Sequence, residues 1–266
     1  MNLKYSKYFL CITLVATLSC TDFIAERDLQ NNWEIVESPH IILHYREAGF
    51  SAMPSPEQEE VLFILDNQEL YYRAVQDSIQ RYYSDKILIY LYNQDEAAEH
   101  IGTAAGGHSI PKLNTFYFAF LDHARQYTDA YGIDNPFIGA HELTHVISHQ
   151  TLGYPGTKML SEGYANWLDG SYAHYHIRDI VASYRDTEPG KIMSPDELLI
   201  DTGRDESVYY PNAGVFTGFL VRTYGIEKIN GLFNSRQDSF ISDFERLCNE
   251  NWEEMTEFYN NYIENL

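Results

Sequence analysis

The stretch Phe137-Ile138-Gly139-Ala140-His141-Glu142-Leu143-Thr144-His145-Val146-Ile147 sets two histidines four residues apart among apolar neighbours. On a helix that step puts both imidazoles on one face, about 6 Å apart along the axis, within reach of a single ion. Glu142 falls about 100° further round, at the edge of the same face, where its carboxylate can reach a water beside the ion. Two imidazole ligands with a neighbouring carboxylate base are what a zinc hydrolase requires. The apolar flanks predict a buried helix, in which ionisable side chains need a reason to be present. Asp134-Asn135-Pro136 reads as the start of this helix, which is expected to run to about Thr151 and to stop at Gly153-Tyr154-Pro155-Gly156.

A catalytic zinc site needs a third protein ligand and an open position. His149 extends the four-residue ladder, but it sits a full turn beyond His145, while the ion lies between His141 and His145. It is therefore read as a residue of the helix face or of the ligands' surroundings. The metzincin position, six residues after the second histidine, is Thr151. Glu162 is the better candidate. The sixteen residues between it and His145 suit a helix–loop–helix return, and it lies in Leu160-Ser161-Glu162-Gly163-Tyr164-Ala165-Asn166-Trp167. Gly163 is expected to let this second helix approach the first. Asn166, one turn on, is expected to accept a hydrogen bond from the outer nitrogen of a ligating histidine.

His141-Glu142-Leu143-Thr144-His145 followed by Ser161-Glu162-Gly163-Tyr164-Ala165 resembles the signature of the gluzincins, and the order of segments is most similar to the peptidase MA-like family. The likeness extends from about residue 33 to 234, and only the two motifs are specific. It implies a zincin-like fold, with an N-terminal mixed sheet over the active-site helix and a helical C-terminal part closing a cleft. It also implies that Gly102 to Ser109 lies near a strand that pairs with substrate, and that a tyrosine before an apolar helix stabilises the oxyanion. Tyr210 is favoured for that role, with Tyr209 second. His108, His123, His174 and His176 are further candidates. The chain departs from the pattern at Asn166, where many relatives carry an acid. It also lacks the acidic segment with which the aminopeptidases bind a free amino terminus.

The rest of the chain supports an α+β class, with strands early and helices late. Trp33 to Tyr45 reads as a hairpin or bent strand broken at Ser38-Pro39, and about 57 to 83 as a long helix. Lys86 to Tyr92 and Thr115 to Leu121 read as strands. Gln94 to Ile101 reads as a short helix, and Gly102 to Ser109 as a loop or edge strand. Helices are expected over Lys158 to Tyr184, Pro195 to Leu199, Asn212 to Tyr224, Phe240 to Cys248 and Trp252 to Ile263. One domain is expected over 32–266, with its sheet-containing part at about 32–152 and its helical part at about 153–266.

Residues 1–19 combine a basic start with the apolar run Tyr8 to Leu18, too short to span a bilayer and laid out as a secretory signal. Ser19-Cys20 at its end resembles a bacterial lipoprotein signal, which makes Cys20 the lipidation site and 20–31 a tether. The expected location is the bacterial cell envelope, with the membrane met through the lipid. Of the three cysteines only Cys248 lies beyond these segments, so no internal disulfide is available. A net charge of −21, from 39 acidic residues against 18 Lys and Arg, argues against nucleic-acid partners.

These readings converge on a peptidase holding one zinc ion with His141, His145 and Glu162, using Glu142 as general base, acting as an endopeptidase on peptide or protein substrates. The alternative is a lipid-anchored binding or assembly protein that keeps a structural zinc site without turnover.

Overall fold

The computed structural model describes residues 33–45, 58–93, 106–120, 128–134, 136–200 and 203–266. The signal, Cys20, the tether, the expected helix at Gln94 to Ile101, His123 and Gly102 to Ala105 lie outside them.

The chain is mixed α and β, with a mostly helical C-terminal part. Strands β1 (Glu34–Glu37) and β2 (Ile41–Tyr45) form an antiparallel hairpin about Ser38-Pro39-His40. Helix α1 (Gln58–Ile79) follows and ends where Gln80 takes a left-handed φ of 52°. Then come β3 (Ile87–Asn93), β4 (Gly107–Ile110), a 3-10 turn at Pro111–Leu113 and β5 (Thr115–Phe120). The five strands lie in the order β1-β2-β3-β5-β4. β2, β3 and β5 run parallel, while β1 and β4 pair antiparallel at the two edges.

Alternation along β3 explains how the sheet is covered. Ile87, Ile89 and Leu91 join the main core with Ile41, Leu43, Val61 and Ile64, to which Leu143, Val146 and Ile147 also belong. Tyr90 and Tyr92 point the other way and gather with Tyr117, Ala119 and Trp33. His44 stacks on Tyr90 at 4.2 Å, continuing that aromatic face.

The motif helix α2 spans His141–Leu152, five residues later than the Pro136 start signal suggests. The preceding backbone has been claimed by other groups. Phe137 adopts φ 60°, the Gln68 side chain donates to the carbonyls of Ile138 and Gly139, and Ala140 N–H donates to Asp169. With those groups satisfied elsewhere, the helical ladder starts only at His141.

The single helix expected over Lys158 to Tyr184 is two. Helix α3 (Lys158–Asp169) is capped at its start by Thr157, and stops at Gly170, whose φ of 71° only glycine adopts without strain. A two-stranded hairpin, β6 (Ser171–Tyr172) and β7 (Tyr175–His176), then leads into α4 (Ile177–Thr187). Helices α5 (Pro195–Ile200), α6 (Glu206–Tyr224), α7 (Ile226–Leu232), α8 (Phe240–Cys248) and α9 (Trp252–Glu264) complete the described chain. Helix α6 begins earlier than Asn212 because the Asp205 side chain accepts from Ser207 N–H and caps it. Tyr209 and Tyr210 therefore lie inside this helix rather than before it.

Helices α3 and α6 cross at close range. A Cβ on Gly163 would lie 2.1 Å from Thr217 Oγ1 and 3.1 Å from the Ala213 carbonyl oxygen. Gly163 thus opens room for α6, not for α2 as the sequence suggested. Among the described residues no helix is long and apolar enough to cross a membrane.

Candidate metal centre

His141 and His145 stand on the first two turns of α2, and Glu162 comes from the second turn of α3. The return through Gly153 to Gly156 lays α3 against α2, so the three side chains meet. His141 Nε2 and His145 Nε2 are 3.2 Å apart, and Glu162 Oε2 is 3.5 Å from the first and 3.6 Å from the second. Ligands about 2.1 Å from a tetrahedral zinc are separated by about 3.4 Å, so the observed triangle has the size of one face of that tetrahedron.

The donor chemistry fits as well. Glu162 Oε2 is buried and lacks a hydrogen-bond donor, an arrangement that is costly unless something positive occupies the triangle. Two imidazole nitrogens and one carboxylate oxygen are donors of the kind that zinc takes. The group His141, His145 and Glu162 could hold a metal ion. His149 is not part of it. Its ring lies 5.9 Å from that of His145 and packs against Tyr154 and Phe233, and burial followed by the charge of His145 lowers its pKa to about 4.

The three side chains by themselves make a tight ionic cluster. Burial opposes a charge on His141, but its contact with Glu162 and the nearby Glu142, Glu162 and Asp169 outweigh this and raise its pKa to about 9. Burial likewise opposes a charge on Glu162, and the contacts with His141 and His145 hold its carboxyl far below the usual range. A metal would replace the protons that the cluster otherwise attracts.

Glu142 is 8% exposed and points toward the edge strand β4. A Cβ on Gly107 would stand 2.6 Å from Glu142 Cγ and 2.9 Å from its Oε1, so the absence of a side chain at Gly107 makes the space for the carboxylate. The glycine-rich segment thus contributes its described end, Gly107–Ile110, as an edge strand beside this residue.

Tyr210 joins the site, its ring 6.0 Å from that of His141 at an interplanar angle of 26°. Its hydroxyl donates only a long bond, 3.4 Å, to Glu206 Oε1. Burial, then the charges of Glu162, Glu206 and Glu142, raises its pKa and keeps the phenol protonated. Tyr209 is excluded, because its buried hydroxyl donates to the Leu198 carbonyl at 2.8 Å. His108 and His176 are exposed on strands β4 and β7, and His174 sits in the β6–β7 turn at φ 70°.

Asn166 corrects one expectation. Its Nδ2 donates to the Glu162 carbonyl at 2.9 Å, and its Oδ1 is buried without a donor, so it orients no histidine through a direct bond. The partner of His145 Nδ1 is Ser161 Oγ, at 3.5 Å. A residue the sequence reading missed is Asp169. It lies seven residues after Glu162, two turns along the same face of α3, a spacing that could have drawn attention to it. Its Oδ1 accepts from Ala140 N–H and its Oδ2 from Ser171 Oγ, both at 2.6 Å.

No protein-family model matches the chain, and no curated protein matches it.

Proposed function

We propose that the protein is a zinc-dependent peptidase of gluzincin type, anchored through Cys20 in a bacterial cell envelope. The observation that carries this reading is the convergence of His141, His145 and the orphaned Glu162 oxygen at tetrahedral spacing, with the Glu142 carboxylate set beside them in the space left by Gly107. A zinc ion there would supply Lewis acidity, which brings the pKa of a water toward neutrality and favours charge on a carbonyl oxygen. Glu142 takes the proton of the attacking water and returns it to the leaving amine. Tyr210, protonated and only weakly engaged with Glu206, donates to the oxyanion. Among the described residues β4 is the last strand on its side of the sheet, and its outer edge offers backbone groups to an extended peptide, which favours a substrate held as an added strand and cut internally.

The test compares wild type with Glu142→Gln for zinc content and for cleavage of a peptide library. The expected result is equal metal in both proteins and turnover in wild type alone. Zinc bound by both with cleavage by neither would turn the reading to a structural metal in an assembly protein. Equal cleavage by both would remove Glu142 from the mechanism.

A further inference from the structure

The arginines of this acidic chain are not all spent in the same way. Arg73, Arg81, Arg185, Arg204, Arg236 and Arg246 each have a carboxylate oxygen within 4 Å. Among the described residues Arg178 and Arg222 do not, although acids outnumber bases by 39 to 18. These two line one cavity of about 530 Å³, bounded by α3, α4, α6 and α9. Its size falls within the range of small-molecule sites. The lining adds Trp167, Ile177 and Tyr262 as apolar walls, together with His176. Arg222 lies over the Tyr262 ring at 5.4 Å and reaches the Tyr262 hydroxyl only at 3.5 Å, so its guanidinium is positioned while most of its donors are left open. Asp179 is the one carboxylate side chain in the lining, and it makes no ion pair with either arginine.

We propose that this cavity binds a small organic anion, a carboxylate or phosphate group carried on an apolar body. Two guanidinium forks are suited to a planar or tetrahedral oxyanion, and indole and phenol faces are suited to the apolar part. None of His141, Glu142, His145 and Glu162 lines the cavity, so the site is separate from the metal centre and stands whether or not the protein is a peptidase.

The experiment is calorimetric titration with phenyl phosphate, benzoate and, as a neutral control, benzyl alcohol, run with and without zinc. Wild type, Arg178→Gln, Arg222→Gln, the double variant and the remote Arg236→Gln are compared. Both arginines are exposed and make no ion pair, so melting temperatures should stay at the wild-type value. The anions should bind more tightly than the alcohol, each single substitution should weaken them by about tenfold, and the double variant should lose the preference. Arg236→Gln should change nothing, and zinc should leave the affinities unmoved. The stronger of the two anions identifies the head group. In wild type alone, rising salt should weaken the anions and not the alcohol. Anions that bind no better than benzyl alcohol, or a double variant with wild-type affinity, would overturn the proposal.

Discussion

Asp169 at the end of α3 accepts a 2.6 Å hydrogen bond from the backbone N–H of Ala140, the residue just before His141. One carboxylate thus ties the end of the Glu162 helix to the start of the histidine helix. A Cβ on Gly139 would sit 2.0 Å from the same Oδ1, so the approach depends on glycine there. Burial, partly offset by Ser171, His141 and Ala140, raises the Asp169 pKa. Asp169→Ala leaves the Ala140 N–H and the Ser171 hydroxyl without their acceptor, and is expected to cost about 2–4 kcal/mol from the unpaired groups and the cavity. Zinc affinity should fall about ten- to a hundredfold as the two helices lose register. Asp169→Asn keeps an acceptor and should lose less of both. Denaturant unfolding and competition with a chelator measure the two effects.

Gly107 supplies the second prediction. In Gly107→Ala the added carbon would lie 2.6 Å from Glu142 Cγ and 2.8 Å from Phe118 Cδ2, so either the Glu142 side chain or the edge strand must move. The candidate ligands His141, His145 and Glu162 are untouched. Zinc content should therefore match wild type while turnover drops about a hundredfold, the scale for a displaced catalytic group. Simultaneous loss of zinc would show that Gly107 matters to the fold instead of to the carboxylate.

The pattern of what was legible follows from range. The His141–His145 pair and the buried helix around it are local, carried by spacing and apolar flanks, and the structure has both. Glu162 needs only one helix–loop–helix return to reach the pair, and the three side chains meet in a group that could hold a metal ion. The ends of the elements were harder. Helix α2 starts late because Gln68, 70 residues from Ile138, takes the carbonyls of the preceding segment, and no local signal announces that. The break at Gly170 rests on a left-handed φ of 71°, and an isolated glycine in a sequence does not announce that conformation. Gly163 faces α6 and not α2, since a glycine announces close approach without naming the helix that approaches. Asn166 stands one turn after Glu162, which predicts a histidine partner, but its amide bonds the Glu162 carbonyl instead.

The third prediction concerns acid stability at the β1–β2 turn. Glu69 on α1 accepts from Ser38 Oγ and His40 N–H at 2.6 Å and meets His40 Nδ1 at 3.0 Å, fastening the β1–β2 turn to the helix. Burial would raise its pKa, but the bonds from Ser38 and His40 together lower it below the ordinary 4.5. A carboxyl with a depressed folded-state pKa contributes stability that is complete above its unfolded pKa and is lost as pH falls through the folded value. Wild type should therefore exceed Glu69→Gln by about 1–3 kcal/mol at neutral pH. The gap should begin to close below about pH 5 and vanish in stronger acid. Urea midpoints of the two proteins across that range test this, and a pH-independent gap would mean that the charge of Glu69 is immaterial.

The two adjacent tyrosines of α6 permit the sharpest separation of chemistry from structure. Tyr210 lies beside His141 with a hydroxyl held only by a 3.4 Å bond to Glu206, whereas the Tyr209 hydroxyl is buried and committed to Leu198 O at 2.8 Å. Removing each oxygen should act on a different quantity. Tyr210→Phe should leave melting temperature and zinc content near wild type and lower kcat by about ten- to a thousandfold, the range for losing one oxyanion donor. Little change in KM is expected, because an oxyanion exists only in the transition state. Tyr209→Phe should do the reverse. It orphans a buried carbonyl, costs about 1 kcal/mol in denaturant unfolding, and leaves kcat intact. If instead Tyr210→Phe raises KM with kcat unchanged, Tyr210 holds the substrate in its ground state and oxyanion stabilisation must come from another group.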